Sequence, residues 1–506
     1  MGIPYYFSYL IRNHASIIHK FVQSVRIHNL FIDANSIIYE GSAIHDNAED
    51  IINFVISKLD NLILDVNPLN TCMIAFDGVA PVSKLDQQRA RRFKKRYDIP
   101  DEPKQFNTIE ITPGTVFMHV LNERIGTHFK PNPRVVYSGC FQVGEGEHKI
   151  MNYMRNNIAA ISNETNAIYG LDSDLIMLAL TISSKIPNIL LIRETPHFIA
   201  YVDRTLEPNA LYTLNISDLG RELYEETKCS VDDYIFACFL LGNDFLPHFP
   251  ALNIRTGGVT KILDAFATSR NVINPYTHKI DWLQFKSYIS HLAHNEHVYI
   301  KTEMDLRDAN QRNYYPSKTK EELKTKLNLI PTYERELEKR IEPSKPGWEN
   351  RYYSLLFNVT PRQVTAKFIK KVCMDYLYGL EWTYKYYTQP CPDWRWSYSY
   401  YYPPLLVDLL KYIPDEPEYD FIPSVMSETV PINELTQLCY VLPPEHFRLL
   451  PPELAEKLLT KHKNWYISPD DEPDFLWAFC KYFWESHVVL PEIPLEKLER
   501  LVSKYN

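Results

Sequence analysis

The chain has 506 residues, 45% of them apolar and 13% aromatic, with eight cysteines and a formal net charge of −9. That is too long for one small domain and apolar enough to fill sizeable cores. No stretch nears the roughly 20 apolar residues that a membrane span needs, the N-terminus has no charged leader before an apolar run, and the cysteines form no Cys-x-x-Cys pair, so neither a zinc site nor a disulfide frame is implied.

Free thiols fit a reducing intracellular compartment, the cytoplasm first, with the nucleus also open. No heptad pattern suggests association, so a monomer is expected. The negative net charge argues against a nucleic-acid partner on average, but the charge is unevenly spread.

In chain order, Asn29-Leu30-Phe31-Ile32 reads as a short buried strand ending at Asp33, followed by a helical run from Ile37. Thr71 to Phe76 is a second strand, ending at Asp77-Gly78. Pro81, a good helix opener, begins a basic element that runs to Arg96. Its Lys84, Gln88, Arg91 and Arg92 are spaced i, i+4, i+7 and i+8 and so share one helical face. A single-signed face of this kind repels itself without an anionic partner, and its donors suit phosphate oxygens.

Next comes Gly144-Glu145-Gly146-Glu147-His148-Lys149, and then Ala167-Ile168-Tyr169 as the end of a third strand before Asp172-Ser173-Asp174 and an apolar helix, Leu175 to Leu180. Asp244 follows the apolar helix Tyr234 to Leu241. One such acidic pair would be explained by helix capping. Three strands that each end at an aspartate are not, because alternating strands and helices build a parallel sheet whose carboxyl edge gathers those ends. Asp33, Asp77, Glu145, Glu147, Asp172, Asp174 and Asp244 are therefore expected to converge. Clustered carboxylates resist joint ionisation unless cations compensate them, and hard oxygen ligands suit Mg²⁺ or Mn²⁺. So many acids favour two ions, about 3.5–4 Å apart in two-metal phosphoryl-transfer sites.

His248, between prolines, reads as structural, and Thr256-Gly257-Gly258 as a turn. Residues 301–345 are charged and proline-punctuated, with helical runs such as Lys320–Leu327, and read as a connector between a first domain, 1–300, and a second region, 346–506. The second region is dense in tyrosine and tryptophan, above all from Trp382 to Tyr402. Core packing must account for most of these rings, with one or two left to stack on bases. Residues 403–506 carry no recognisable chemistry.

These residues resemble the XRN group of 5′-to-3′ exoribonucleases. The likeness is carried by Met1-Gly2-Ile3-Pro4, Phe31-Ile32-Asp33-Ala34-Asn35, Phe76-Asp77-Gly78-Val79-Ala80-Pro81, Gln87 to Phe93, Gly144 to Ile150, Leu171 to Asp174, Gly242 to Phe245 and Trp394-Arg395-Trp396. It implies an α/β, PIN-like nuclease core with a mostly parallel sheet flanked by helices, and a second, mainly helical aromatic-rich region packed on it. It further implies hydrolysis of single-stranded RNA from a 5′ monophosphate to mononucleotides, with Mg²⁺ held by the seven acids and the terminal phosphate held by Lys84, Gln88, Arg91 and Arg92.

The family has glycine and histidine where this chain has Ser36 and Tyr39. That histidine stacks on the first base opposite a tryptophan, so Tyr39 inherits the stacking role, with Trp394 and Trp396 both candidates for its partner. The chain also leaves little room for the extra C-terminal domains of the large members. Two alternatives stand beside this reading: a flap-type structure-specific DNA nuclease, and an inactive RNA-binding scaffold on the same fold.

Overall fold

A computed structural model describes residues 3, 5–97, 105–195, 205–267, 269, 271–423 and 429–505. Of the Met1-Gly2-Ile3-Pro4 motif only Ile3 falls within the described residues.

The organising element is a seven-stranded sheet in the order β1-β7-β6-β5-β2-β3-β4. Strands β2 (Asn29–Asp33), β3 (Thr71–Ala75), β4 (Val135–Ser138), β5 (Asn166–Tyr169) and β6 (Ile189–Glu194) run parallel. At one edge β7 (Leu211–Asn215) pairs antiparallel with β6, and β1 (Ile18–Lys20) antiparallel with β7. The expected mostly parallel α/β sheet is therefore present.

Its central strands are buried on both faces, as parallel sheets require. In β2, Leu30 and Ile32 enter one apolar cluster and Phe31 the opposite one. In β3, Cys72 and Ile74 alternate in the same way with Met73 and Ala75. The helices Ala48–Val66 and Val116–Phe129 cover the first face through Val55, Leu59, Leu121 and Ile125. The helices Gly146–Asn156, Asp174–Ile182 and Val231–Cys238 cover the second through Ile150, Met154, Leu178 and Phe236.

Register decides where the acids go. Asp33 pairs with Ala75 and Ile32 with Tyr169, so β2, β3 and β5 end level with one another. Chain segments leaving these ends emerge side by side at the carboxyl edge.

The aromatic region does not form a separate core. Tyr376, Leu380, Trp382, Tyr386 and Tyr387 of the helix Ala366–Thr388 join the cluster on the second sheet face. The helix Trp282–Gln311 runs through residue 300, and residues 301–345 hold further helices, including Lys320–Asn328 and Glu336–Ile341. Within this stretch Arg307 and Arg335 share the buried carboxylate of Glu338, at 2.6 and 2.7 Å.

A third cluster has a specific place. Leu438, Val441, Leu454, Trp465, Leu498 and Val502 pack against Val79, Ala80, Val82 and Leu85, at the start of the basic helix. No helix among the described residues is long and apolar enough to cross a membrane.

Candidate active site

Each acid reaches the carboxyl edge by its own local route. Asp33 is the last residue of β2 and is buried. Asp77 lies two residues beyond β3, and Asn35, just past β2, holds it: Asp77 N–H donates to Asn35 Oδ1 at 3.0 Å, and the Asn35 amide donates to Asp77 Oδ2. Gly146 N–H donates to Asp77 Oδ1 at 2.7 Å. A Cβ on Gly146 would stand 2.7 Å from Asp33 Oδ1 and 3.5 Å from Asp77 Oδ1, so only glycine lets the helix start approach both carboxylates.

Glu145 is the cap residue of the helix Gly146–Asn156, yet its side chain caps nothing. It accepts instead from Tyr386 Oη at 2.8 Å and pairs with Lys84 Nζ at 2.6 Å. Ser173 occupies the cap of the Asp174–Ile182 helix, also without a side-chain cap bond. Helix capping therefore does not explain Glu145. Lys84 also pairs with Asp244 at 2.7 Å, bridging it to Glu145.

Three carboxylate oxygens, on Asp33, Glu147 and Asp174, are buried with no hydrogen-bond partner among the described residues. Burial, then Asp77 and Asp172, raise Asp33 well above the usual carboxylate range. Burial, then Asp174 and Glu145, do the same for Glu147. Burial pushes Asp174 up to about 7, with Asp244 and Asp172 adding to the rise. Asp77 is raised by burial and by Glu145. Asp172 is exposed, at the rim, and acts on its buried neighbours through its charge. All seven acids thus belong to one electrostatic unit, with six of them at most half-exposed and Asp172 at the solvent side.

Burial works against the charge on Lys84, but Asp244 and Glu145 raise its pKa well above the ordinary value. For Asp244 burial works the other way, and Lys84 overrides it to hold the carboxyl well below its usual range. One ammonium cannot neutralise seven carboxylates. The orphaned oxygens and raised pKa values are what hard divalent cations would correct. Glu145, Glu147 and His148 have potential ligand atoms all within 4.8 Å of one another. The donor set, mostly buried carboxylate oxygen, fits Mg²⁺ or Mn²⁺.

The basic face divides. Arg92 is buried; it donates to Thr112 Oγ1 at 2.7 Å and Gln88 Oε1 at 3.3 Å, and burial lowers it to about 10. Arg91 is half-buried. Lys84, expected on phosphate with the other three, is engaged by Glu145 and Asp244 instead, as a buried ammonium must be paired.

The aromatic candidates separate as well. Trp396 packs on Trp382 and Tyr378, with centroids 5.1 and 5.7 Å apart, and its Nε1–H donates to Asp375 at 3.3 Å. Trp394 lies where the basic helix begins. Its carbonyl accepts from Val82 N–H at 3.0 Å, and its ring edge is 4.0 Å from where a Gly144 Cβ would be. Tyr39 is half-buried and close enough to Arg92 to influence it. No ring contact joins Tyr39 to Trp394 among the described residues.

Sequence reasoning missed His148, which is buried and stacked on Tyr386 at 3.7 Å, with its pKa driven well below normal by burial. It also missed Tyr386 and Tyr387, which close the acid cluster from the helix Ala366–Thr388. Their only signal was membership of the aromatic run. His248 is half-buried and lowered by burial to about 4, and Gly257 takes the left-handed conformation of a turn.

Two family descriptions match this chain. "XRN 5'-3' exonuclease N-terminus" matches residues 1–195, and "Xrn1 helical domain" matches residues 225–327 and 285–504. Among similar curated proteins, 5'-3' exoribonuclease 1 of Saccharomyces cerevisiae is 25% identical over 89% of this chain and 40% of its own length. The human 5'-3' exoribonuclease 1 is 27% identical over 100% of this chain and 34% of its own. The 5'-3' exoribonuclease 2 homolog of Drosophila melanogaster is 25% identical over 100% and 71%. The chain thus spans between about a third and about seven-tenths of the length of these relatives. A solved structure, the catalytic core of Rad2 in complex with DNA substrate, covers 62% of this chain and 80% of its own at 13% identity and a TM-score of 0.34. With both family descriptions together spanning most of its length, the chain belongs to the XRN 5′-3′ exonuclease family.

Proposed function

We propose that this protein is a divalent-cation-dependent 5′-to-3′ exoribonuclease that hydrolyses single-stranded RNA bearing a 5′ monophosphate, one nucleotide at a time. The carrying observation is the set of buried, partnerless carboxylate oxygens on Asp33, Glu147 and Asp174 beside a basic helix. The named relatives are 5'-3' exoribonucleases, which supports the same reading.

In this reading Asp33, Asp77, Glu145, Glu147, Asp172, Asp174 and Asp244 hold two Mg²⁺ or Mn²⁺ ions. When bound, such ions supply an activated water and charge stabilisation for the leaving 3′ oxygen. The protein's own part is positioning. Gln88, Arg91 and Arg92 receive the terminal phosphate, and Thr112 holds the Arg92 guanidinium in place. Tyr39 and Trp394 flank the first base, an aromatic clamp that tolerates any sequence. A phosphate anchored on the Val82–Lys94 helix sets the distance to the bond that is cut, so a nucleoside 5′-monophosphate leaves and a new 5′ phosphate is exposed. The protein works as a monomer in a reducing compartment such as the cytoplasm.

The test is to supply 5′-phosphorylated, 5′-hydroxyl and capped RNA, and a matched DNA, with Mg²⁺ and to identify the products. Mononucleotides from 5′-phosphorylated RNA alone are expected. Preferential cutting of branched DNA would overturn the reading.

A further inference from the structure

The flank of the basic helix lines a second space. Gln87, Arg89 and Arg91 form one wall of a cavity of about 850 Å³, and Asn243, His248 and Arg255 form another. Asp244, one of the clustered acids, also lines it, and so does Arg91. Its volume falls within the range of small-molecule sites.

Gln87 Oε1, Arg89 Nε, Asn243 Nδ2, His248 Nε2 and Arg255 Nε are all buried without a hydrogen-bond partner among the described residues. Buried polar atoms of folded proteins are rarely left unpaired, and these five belong to side chains that line one cavity. Arg89 is 4% exposed, so solvent does not satisfy it.

The set is rich in donors, with two guanidinium N–H groups and an amide NH₂, and calls for an acceptor-bearing anion. The carboxylates on the wall do not supply one. Asp86 accepts from Tyr440 Oη at 2.5 Å, Glu485 pairs with Arg255 at 2.5 Å, Asp244 pairs with Lys84 at 2.7 Å, and Glu492 is exposed at the rim. Tyr400 and Trp484 add aromatic surface to the lining, suited to the flat face of a base.

We infer that this cavity is a second nucleotide site, which takes the nucleoside 5′-monophosphate released at the acids. The inference rests on the hydrolysis proposed above for the identity of its ligand. Asp244, which belongs to the acid cluster and also lines the cavity, sets the two spaces side by side.

The test is equilibrium binding of AMP to the full chain in chelator, for wild type, Gln87→Glu, Arg255→Gln and Arg92→Ala, with inorganic phosphate as a second probe and thermal melting as a check on folding. Gln87→Glu breaks no hydrogen bond among the described residues and adds a negative charge to the wall, so it carries the test if Arg255→Gln, which loses the Glu485 ion pair, misfolds. Both variants are expected to weaken AMP by about ten-fold or more, while Arg92→Ala leaves that binding in place and Gln87→Glu leaves single-turnover cleavage of RNA unchanged. AMP binding lost only in Arg92→Ala, phosphate binding as tightly as AMP, or no saturable AMP binding would each overturn the site. A wild type that binds AMP through Gln87 and Arg255 yet cuts no RNA would overturn the hydrolysis and leave the nucleotide site standing.

Discussion

Lys84 is the residue whose surroundings differ most from its place in the sequence pattern. Its ammonium lies between Glu145 and Asp244, with a side chain only 12% exposed. Removing it strands two buried carboxylates. Lys84→Met should therefore cost about 3–5 kcal/mol of stability in chelator, the usual result of breaking a buried pair from one side, and added Mg²⁺ should restore part of that loss. Urea denaturation with and without Mg²⁺ measures both; wild-type stability in chelator would show that the bridge is inert.

Trp394 and Trp396 give a second contrast at this scale. Trp394→Ala should weaken RNA binding by about 1–3 kcal/mol, the cost of one lost base stack, with little change in melting. Trp396→Ala empties the space beside Trp382 and Tyr378 and should cost about 3–5 kcal/mol of folding stability. Melting curves and RNA titrations on the two variants decide it. Reversed effects would exchange their roles.

In the proposed reading the Val82–Lys94 helix carries recognition, and it is held from behind. Leu438, Val441, Leu498 and Val502 pack under its first turns, which gives residues 432–505 a physical task that their composition did not announce. In front, Arg92 is fixed by Thr112, whereas Arg91 is half-buried and bounds a cavity. Arg91 is therefore the cleaner probe, since Arg92→Ala also leaves Thr112 without its donor.

If this helix reads the terminal phosphate, Arg91→Ala should reduce the ratio of initial rates on 5′-phosphorylated over 5′-hydroxyl RNA by about ten-fold, the equivalent of one charged hydrogen bond. A mere electrostatic grip predicts equal slowing of both RNAs and an effect that fades with salt. The two rates at two salt concentrations separate these cases, and an unchanged ratio would remove the helix from phosphate reading.

Across the whole molecule the acid cluster sets how stability depends on pH and cations. Asp174 is pushed up to about 7 by burial, above its unfolded value near 3.8. Between those values the folded chain holds a proton that the unfolded chain has lost, so this group's contribution to stability falls as pH rises toward 7. Asp33 and Glu147 are raised for the same reason and act in the same direction.

Half-buried His248, lowered to about 4, has the opposite sign: its contribution is present above about 6.5 and is lost as pH falls toward 4. Comparison with Asp174→Asn isolates the carboxylate part. In chelator, wild type should lose stability relative to Asp174→Asn between pH 5 and pH 7, to about the scale implied by a shifted carboxyl. Mg²⁺ at about 100 times its Kd should add about 2.7 kcal/mol to wild type and much less to the variant, which should also fail to hydrolyse RNA. Parallel pH profiles for the two proteins would remove Asp174 from the proposed cation site.

The sequence determined where the acids go in the sheet, because strand ends followed by aspartate are local facts and a parallel sheet aligns them without further information. It determined the shared face of Lys84, Gln88, Arg91 and Arg92 for the same reason: helical spacing is local. What local pattern could not contain was the competition among partners. Lys84 turns to Glu145 and Asp244, which lie 61 and 160 residues away in the chain. Trp396 is claimed by a helix that begins thirty residues before it, leaving Trp394 beside the Gly144 turn. Tyr386 and Tyr387 enter the acid cluster only because their helix packs on the second face of the sheet. Spacing assigns each side chain to a face; which of several charged or aromatic neighbours it then meets depends on long-range packing and burial, and those exist only once the chain has folded.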